Sequence, residues 1–167
     1  MTLIRTLSSL VAGLCLSTAP ALARIDAGTP ALIQSLNTHG VNVGLNHPDC
    51  QGQTEFAGYY NTRSKDFVVC YSGVPDANDH DTVRHEAMHV AQHCAAQREG
   101  RPYGIRPILR GADHNEFVTT VLTEREIVGI KNSYPKEKWL TELEAFAAAK
   151  LYTAAQMQNI VQQWCSL

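Results

Sequence analysis

The sequence carries no long basic run and no excess of positive charge. Lys and Arg number 14 against 16 Asp and Glu, for a formal charge of −2. A nucleic-acid binder ordinarily presents a basic face, so the composition disfavours that class. No segment repeats at a fixed period, which excludes solenoids and leaves one domain as the expectation for 167 residues. No compositional bias points to disorder, and a hydrophobic fraction of 44% is ample for a core. No CxxC pair occurs, which argues against a cysteine zinc site. The apolar stretch near the N-terminus, Leu10 to Leu16, is too short to span a bilayer, and Pro20 follows it.

That short stretch has the form of an export signal over residues 1–23. Arg5 supplies the positive n-region, Leu10 to Leu16 the apolar h-region, and Ala21-Leu22-Ala23 the small-x-small cleavage site. The mature domain is expected at residues 24–167, secreted or periplasmic, with no stable membrane insertion after cleavage. Leu14 precedes Cys15 where a lipoprotein signal requires Gly or Ala, so Cys15 belongs to the discarded leader. Of five cysteines, Cys50, Cys70, Cys94 and Cys165 then remain. An even number in an oxidising compartment implies two disulfides, with three possible pairings. The favoured one joins Cys50–Cys70 across a β region and Cys94–Cys165 between a helix and the terminus.

Thr29-Pro30 reads as a helix start, with a stop near His39-Gly40. Residues 41–55 are rich in turn formers, with room for one short strand. Phe56 to Asn61 and Asp66 to Tyr71 predict a hairpin across the turn at 62–65. Residues 72–80 are turn-rich. Asp81 or Thr82 is expected to cap a long helix to about Arg98, with Gly100 as its stop. Three more helices are expected over His114 to Lys131, Pro135 to Tyr152, and from a Thr153 cap to near Cys165. A small β region followed by helices is an α+β arrangement.

His85-Glu86-Ala87-Met88-His89 matches H-E-x-x-H on the long helix. Residues four apart lie one turn apart on one face, so both imidazoles reach one ion. Zinc lowers the pKa of a bound water to about 7, and Glu86 is placed to take its proton. A catalytic zinc requires a third protein ligand. Position 95 is Ala and position 92 is not Gly, which excludes the metzincin pattern. His93 lies about 6 Å further along the helix axis and reads as a solvated or supporting residue. The third ligand is expected on a later helix. The segment Trp139 to Ala149 is rich in small residues that permit close helix approach, and it contains Glu142 and Glu144. These lie about 200° apart around the helix, so only one can face the metal. Glu142 shares the more apolar side with Trp139, Leu143, Phe146 and Ala149, and Glu144 is the alternative.

Here the sequence resembles the gluzincin metallopeptidases, which pair H-E-x-x-H with E-x-x-A-D on a following helix. Glu142-Leu143-Glu144-Ala145-Phe146 fits the Glu and the Ala. The run His89-Val90-Ala91-Gln92 also resembles small bacterial gluzincin-like domains reading H-E-x-x-H-x-x-Q. The likeness covers residues 82 to 149 and implies a zincin-like core, zinc as cofactor, His85, His89 and Glu142 as ligands, and Glu86 as general base. Phe146 stands where the family has an Asp that orients the first zinc-binding His, so another residue must hold His85.

Peptide or protein hydrolysis is the expected activity. Tyr59, Tyr60, His114 and Tyr134 are candidate oxyanion stabilisers. His39, His47 and His80 read as solvated loop residues, and Gln92 as a packing residue or a hydrogen-bonding neighbour of the site. One hairpin strand, if it forms a free edge, would dock an extended peptide, as the resemblance implies. Two rivals stay open: an exported non-catalytic zinc-binding or partner-binding domain, and a disulfide-held module without metal.

Overall fold

The computed structural model describes residues 27–51, 57–71 and 76–166. The expected leader at 1–23 and the first residues of the mature domain lie outside the described residues. The described architecture is α+β, with six α-helices and a three-stranded sheet.

Helix α1 spans Thr29–Thr38. Gly28, not Thr29, is its N-cap, and Thr29 is instead buried with its Oγ1 2.9 Å from His80 Nδ1. Strand β1, Asn42–Leu45, follows, and a 3-10 turn at Pro48–Cys50 leads away from it. Strands β2, Gly58–Tyr60, and β3, Asp66–Val69, form the expected antiparallel hairpin. Its turn is stabilised by Asn61 Oδ1, which accepts from the Arg63 and Ser64 amides. β1 pairs with β3 in parallel, so the order is β1-β3-β2 and β2 is an edge.

Helix α2, Ala77–Gln97, begins about one and a half turns earlier than expected. Its cap is Asp76, whose carboxylate accepts from the Asn78 and Asp79 amides while Asp79 accepts from the Asp76 amide. A capping box at Asp76 outcompetes Asp81 and Thr82, which sit inside the helix. His80 is therefore helical and buried, not a solvated loop residue.

The helix expected over 114–131 is two helices, α3 at Gly111–Val121 and α4 at Glu124–Ser133. Thr123 breaks the run: it adopts an extended backbone, caps α4 through the Glu126 amide, and receives Glu126 in return. Helix α5, Trp139–Leu151, follows a 3-10 turn, and α6, Ala154–Cys165, begins at the Thr153 cap.

The main core joins Leu32 and Leu36 of α1, Phe67 and Val69 of β3, Val90 of α2 and Met157 of α6. Ala145 and Ala148 of α5 are fully buried in it. Their small side chains let α5 close on α2, and Arg84 Nε donates to Ala149 O across that contact at 2.9 Å. A satellite cluster of Val118, Leu122, Ile130 and Leu143 joins α3 and α4 to the far face of α5. Two disulfides lock the frame, Cys50–Cys70 beside the sheet and Cys94–Cys165 between α2 and the end of α6. Among the described residues no helix is long and apolar enough to cross a membrane. The two disulfides agree with an exported protein.

Candidate metal centre

The centre lies where α2 meets α5. His85 and His89 stand one turn apart in the middle of α2, so helical geometry alone puts both rings on one side. Their Nε2 atoms are 3.1 Å apart. From α5, Glu142 brings its Oε2 to 3.3 Å from His85 Nε2 and 3.4 Å from His89 Nε2. All three side chains are buried, and one ligand atom from each lies within 4.8 Å of the other two.

Burial opposes charge on Glu142 and on His89, and in both their partners override it. The His85 and His89 imidazoles hold the buried Glu142 carboxyl down at about 2. Burial would lower His89, but Glu142 and then Glu86 hold it up at about 9. The carboxylate contacts are ion-pair distances that miss hydrogen-bond geometry, and Glu142 Oε2 has no hydrogen-bond donor among the described residues. Two nitrogens and one oxygen converging in a buried space fit a divalent cation, which takes a lone pair from each.

Glu144 is also fully buried, yet it is not at this centre. Its Oε2 accepts from Ile108 N and Gln92 Nε2, both at 2.8 Å, and its Oε1 accepts from Leu109 N at 2.7 Å. The separation of Glu142 from Glu144 around α5 thus sends one carboxylate to the histidines and the other to the segment after α2. Gln92 spans the gap, its Oε1 2.8 Å from His89 Nδ1.

Phe146 supplies what the E-x-x-A-D likeness left open. Its ring meets His85 edge-on with centroids 4.4 Å apart, while His85 Nδ1 is buried without a hydrogen-bond partner among the described residues. Packing, in place of a carboxylate, sets the His85 ring.

His93 is neither solvated nor at the centre. Tyr60 OH and Pro102 O lie 2.8 and 2.7 Å from its two ring nitrogens, which ties β2 and the segment after α2 to the helix. That contact also accounts for Tyr60. Tyr59 OH donates to Asp49 Oδ2 at 2.5 Å. His114 is buried on α3, with Nε2 2.9 Å from Leu140 O. Of the four oxyanion candidates, Tyr134 alone lines the cleft that also exposes His85 and Glu86. Burial, with Glu142 and Glu86 adding to it, pushes its phenol up to about 12, so the hydroxyl keeps its proton at neutral pH.

The cleft has a volume of about 770 Å³. Ala57 and Gly58 of the β2 side form part of its wall, together with Thr82, His85 and Glu86 of α2 and with Tyr134 and Phe146. Gly58 is required at this wall. A Cβ there would stand 2.6 Å from Val68 O and 2.8 Å from Thr82 Cγ2, so any side chain would push β2 off α2.

No protein-family model, curated protein or solved structure matches this chain.

Proposed function

We propose that this chain is an exported zinc-dependent hydrolase, a peptidase of gluzincin type with a zincin-like core. The observation that carries the reading is the convergence of His85, His89 and Glu142 within 4.8 Å, beside a cleft lined by His85 and Glu86. Bound by two imidazoles and a carboxylate, zinc would supply Lewis-acid chemistry, polarising a carbonyl and making a water acidic near neutral pH.

The chain's own groups do the rest. Glu86 takes the proton of the attacking water and returns it to the leaving amine. The Tyr134 hydroxyl, protonated at neutral pH, donates to the oxygen on which negative charge develops. The edge of β2 that is unpaired among the described residues would offer main-chain hydrogen bonds to an extended peptide, and the lining of the cleft by Ala57 and Gly58 beside it supports this reading. β3 is central in the sheet and has no free edge to offer. An open cleft beside His85 favours catalysis over a closed structural zinc site, in which protein ligands occupy all four positions.

The test is metal content of the oxidised mature protein, followed by peptide hydrolysis. One zinc per chain, lost in Glu142→Gln and kept in Glu144→Gln, with turnover abolished in Glu86→Gln, is the expected result. Zinc bound without turnover on any peptide would favour the non-catalytic binding domain, and no zinc after reconstitution would overturn the metal reading.

A further inference from the structure

We propose that Gln92, held by Glu144, is the positioning residue that presets His89 for metal, so that the centre is anchored to the segment after α2. The inference rests on the metal reading above and adds residues to it.

Gln92 is fully buried. Its Nε2 lies 3.0 Å from Thr141 O and 2.8 Å from Glu144 Oε2. A carbonyl oxygen only accepts, and the Glu144 oxygen accepts here as it does from Ile108 N, so they take the two amide hydrogens. A flipped amide would set oxygen against both and is excluded. The amide oxygen is thereby turned to His89 Nδ1 at 2.8 Å. An amide oxygen cannot donate, so Nδ1 must carry the hydrogen. That leaves Nε2 as the nitrogen that offers a lone pair. Nε2 is the His89 atom 3.4 Å from Glu142 Oε2 and 3.1 Å from His85 Nε2.

Glu144 makes the arrangement rigid. A buried carboxylate is costly unless its lone pairs are met. Here the Ile108 and Leu109 amides and Gln92 meet them. Two consecutive backbone amides thus fix Glu144, Glu144 fixes the Gln92 amide, and Gln92 fixes the imidazole. The other ligand, His85, has no such support, since its Nδ1 has no partner among the described residues. Orientation by hydrogen bonding is concentrated on His89.

The test measures zinc affinity by competition with a chromophoric chelator, in wild type and in Gln92→Leu, at a temperature where circular dichroism shows both folded. Loss of such a supporting partner typically weakens metal binding about 10- to 100-fold, and that is the expected shift. Long-range 1H–15N spectra of zinc-loaded wild type should show the His89 proton on Nδ1, with faster exchange in the variant. A purely packing role would lower the melting temperature without moving the affinity of the folded protein. Affinity within about twofold of wild type in folded Gln92→Leu overturns the proposal while leaving the metal site standing. Should that variant fail to fold, the wild-type spectrum decides: a proton on Nε2 with zinc on Nδ1 overturns it. Wild type that binds no zinc overturns both readings.

Discussion

Phe146 packs edge-on against His85, ring centroids 4.4 Å apart, and no described residue hydrogen-bonds His85 Nδ1. His85 is therefore set by shape, and His89 by its hydrogen bond to Gln92. Edge-to-face pairs contribute about 0.5–1.5 kcal/mol beyond area burial, equivalent to roughly 2- to 10-fold in an equilibrium constant. Phe146→Ala should weaken zinc binding by that factor. Phe146→Asp, which offers Nδ1–H an acceptor, should bind more tightly than Phe146→Ala. Chelator competition on the two variants reads both effects, and equal affinities would remove Phe146 from the centre.

Glu86→Gln keeps the side chain's volume and removes its basicity. General base catalysis contributes about 10²- to 10⁴-fold, so kcat/KM should fall by that order while zinc stoichiometry stays at wild type. Peptide turnover and metal analysis on the same sample check this. Undiminished turnover would exclude Glu86 as the base.

The metal-free centre should make stability depend on pH in two directions. Glu142 is held down at about 2 against an ordinary 4.5, so its contribution is complete above 4.5 and lost as pH falls through 2. His89 is held up at about 9 against 6.5, so its contribution is complete below 6.5 and lost as pH rises through 9. Urea midpoints in chelator should therefore be highest between 4.5 and 6.5, and Glu142→Gln should flatten the profile. The same proton on His89 must leave when metal binds, so zinc affinity should climb with pH up to about 9. A pH-independent affinity would contradict the pairing.

Cys94–Cys165 closes a separation of 71 residues and Cys50–Cys70 one of 20. By loop-closure entropy the longer link contributes about 4 kcal/mol and the shorter about 3 kcal/mol. Paired alanine replacements, compared by denaturant unfolding, should show the larger loss for Cys94 with Cys165.

Gly58→Ala should distort the hairpin, because the added Cβ meets Val68 O, a backbone atom that cannot step aside. Overpacking of this kind costs about 1–3 kcal/mol. If β2 also docks the peptide, KM should rise in the folded variant while zinc content holds. A variant with wild-type stability and KM would show that the wall tolerates a side chain.

Local chemistry made part of this protein legible before any fold was known. The i, i+4 spacing of His85 and His89 is set by helix pitch, which is the same in every α-helix. The Thr153 cap and the hairpin likewise follow from short-range pattern, whereas the four cysteines implied two disulfides with three pairings open, and the fold joins Cys50 to Cys70 and Cys94 to Cys165. The caps at Asp76 and Thr123 were equally local and lay open in the D-x-x-D and T-x-x-E spacings, which outweigh the hydrophobic periodicity that runs past them. Tertiary structure alone decided the rest. α5 carries two buried carboxylates; its more apolar side and the E-x-x-A resemblance favoured Glu142 for the histidines, but nothing in its own sequence says that Glu144 is buried too and meets backbone amides. That is settled by the rotation at which α5 docks on α2 and by the path of residues 107–109 over its other side. The parallel pairing of β1, the burial of His80 against Thr29, and the bridge from Glu144 through Gln92 to His89 are of the same kind. Each depends on at least one contact between residues more than twenty apart, brought together by packing area and hydrogen-bond demand, neither of which is written in local sequence pattern.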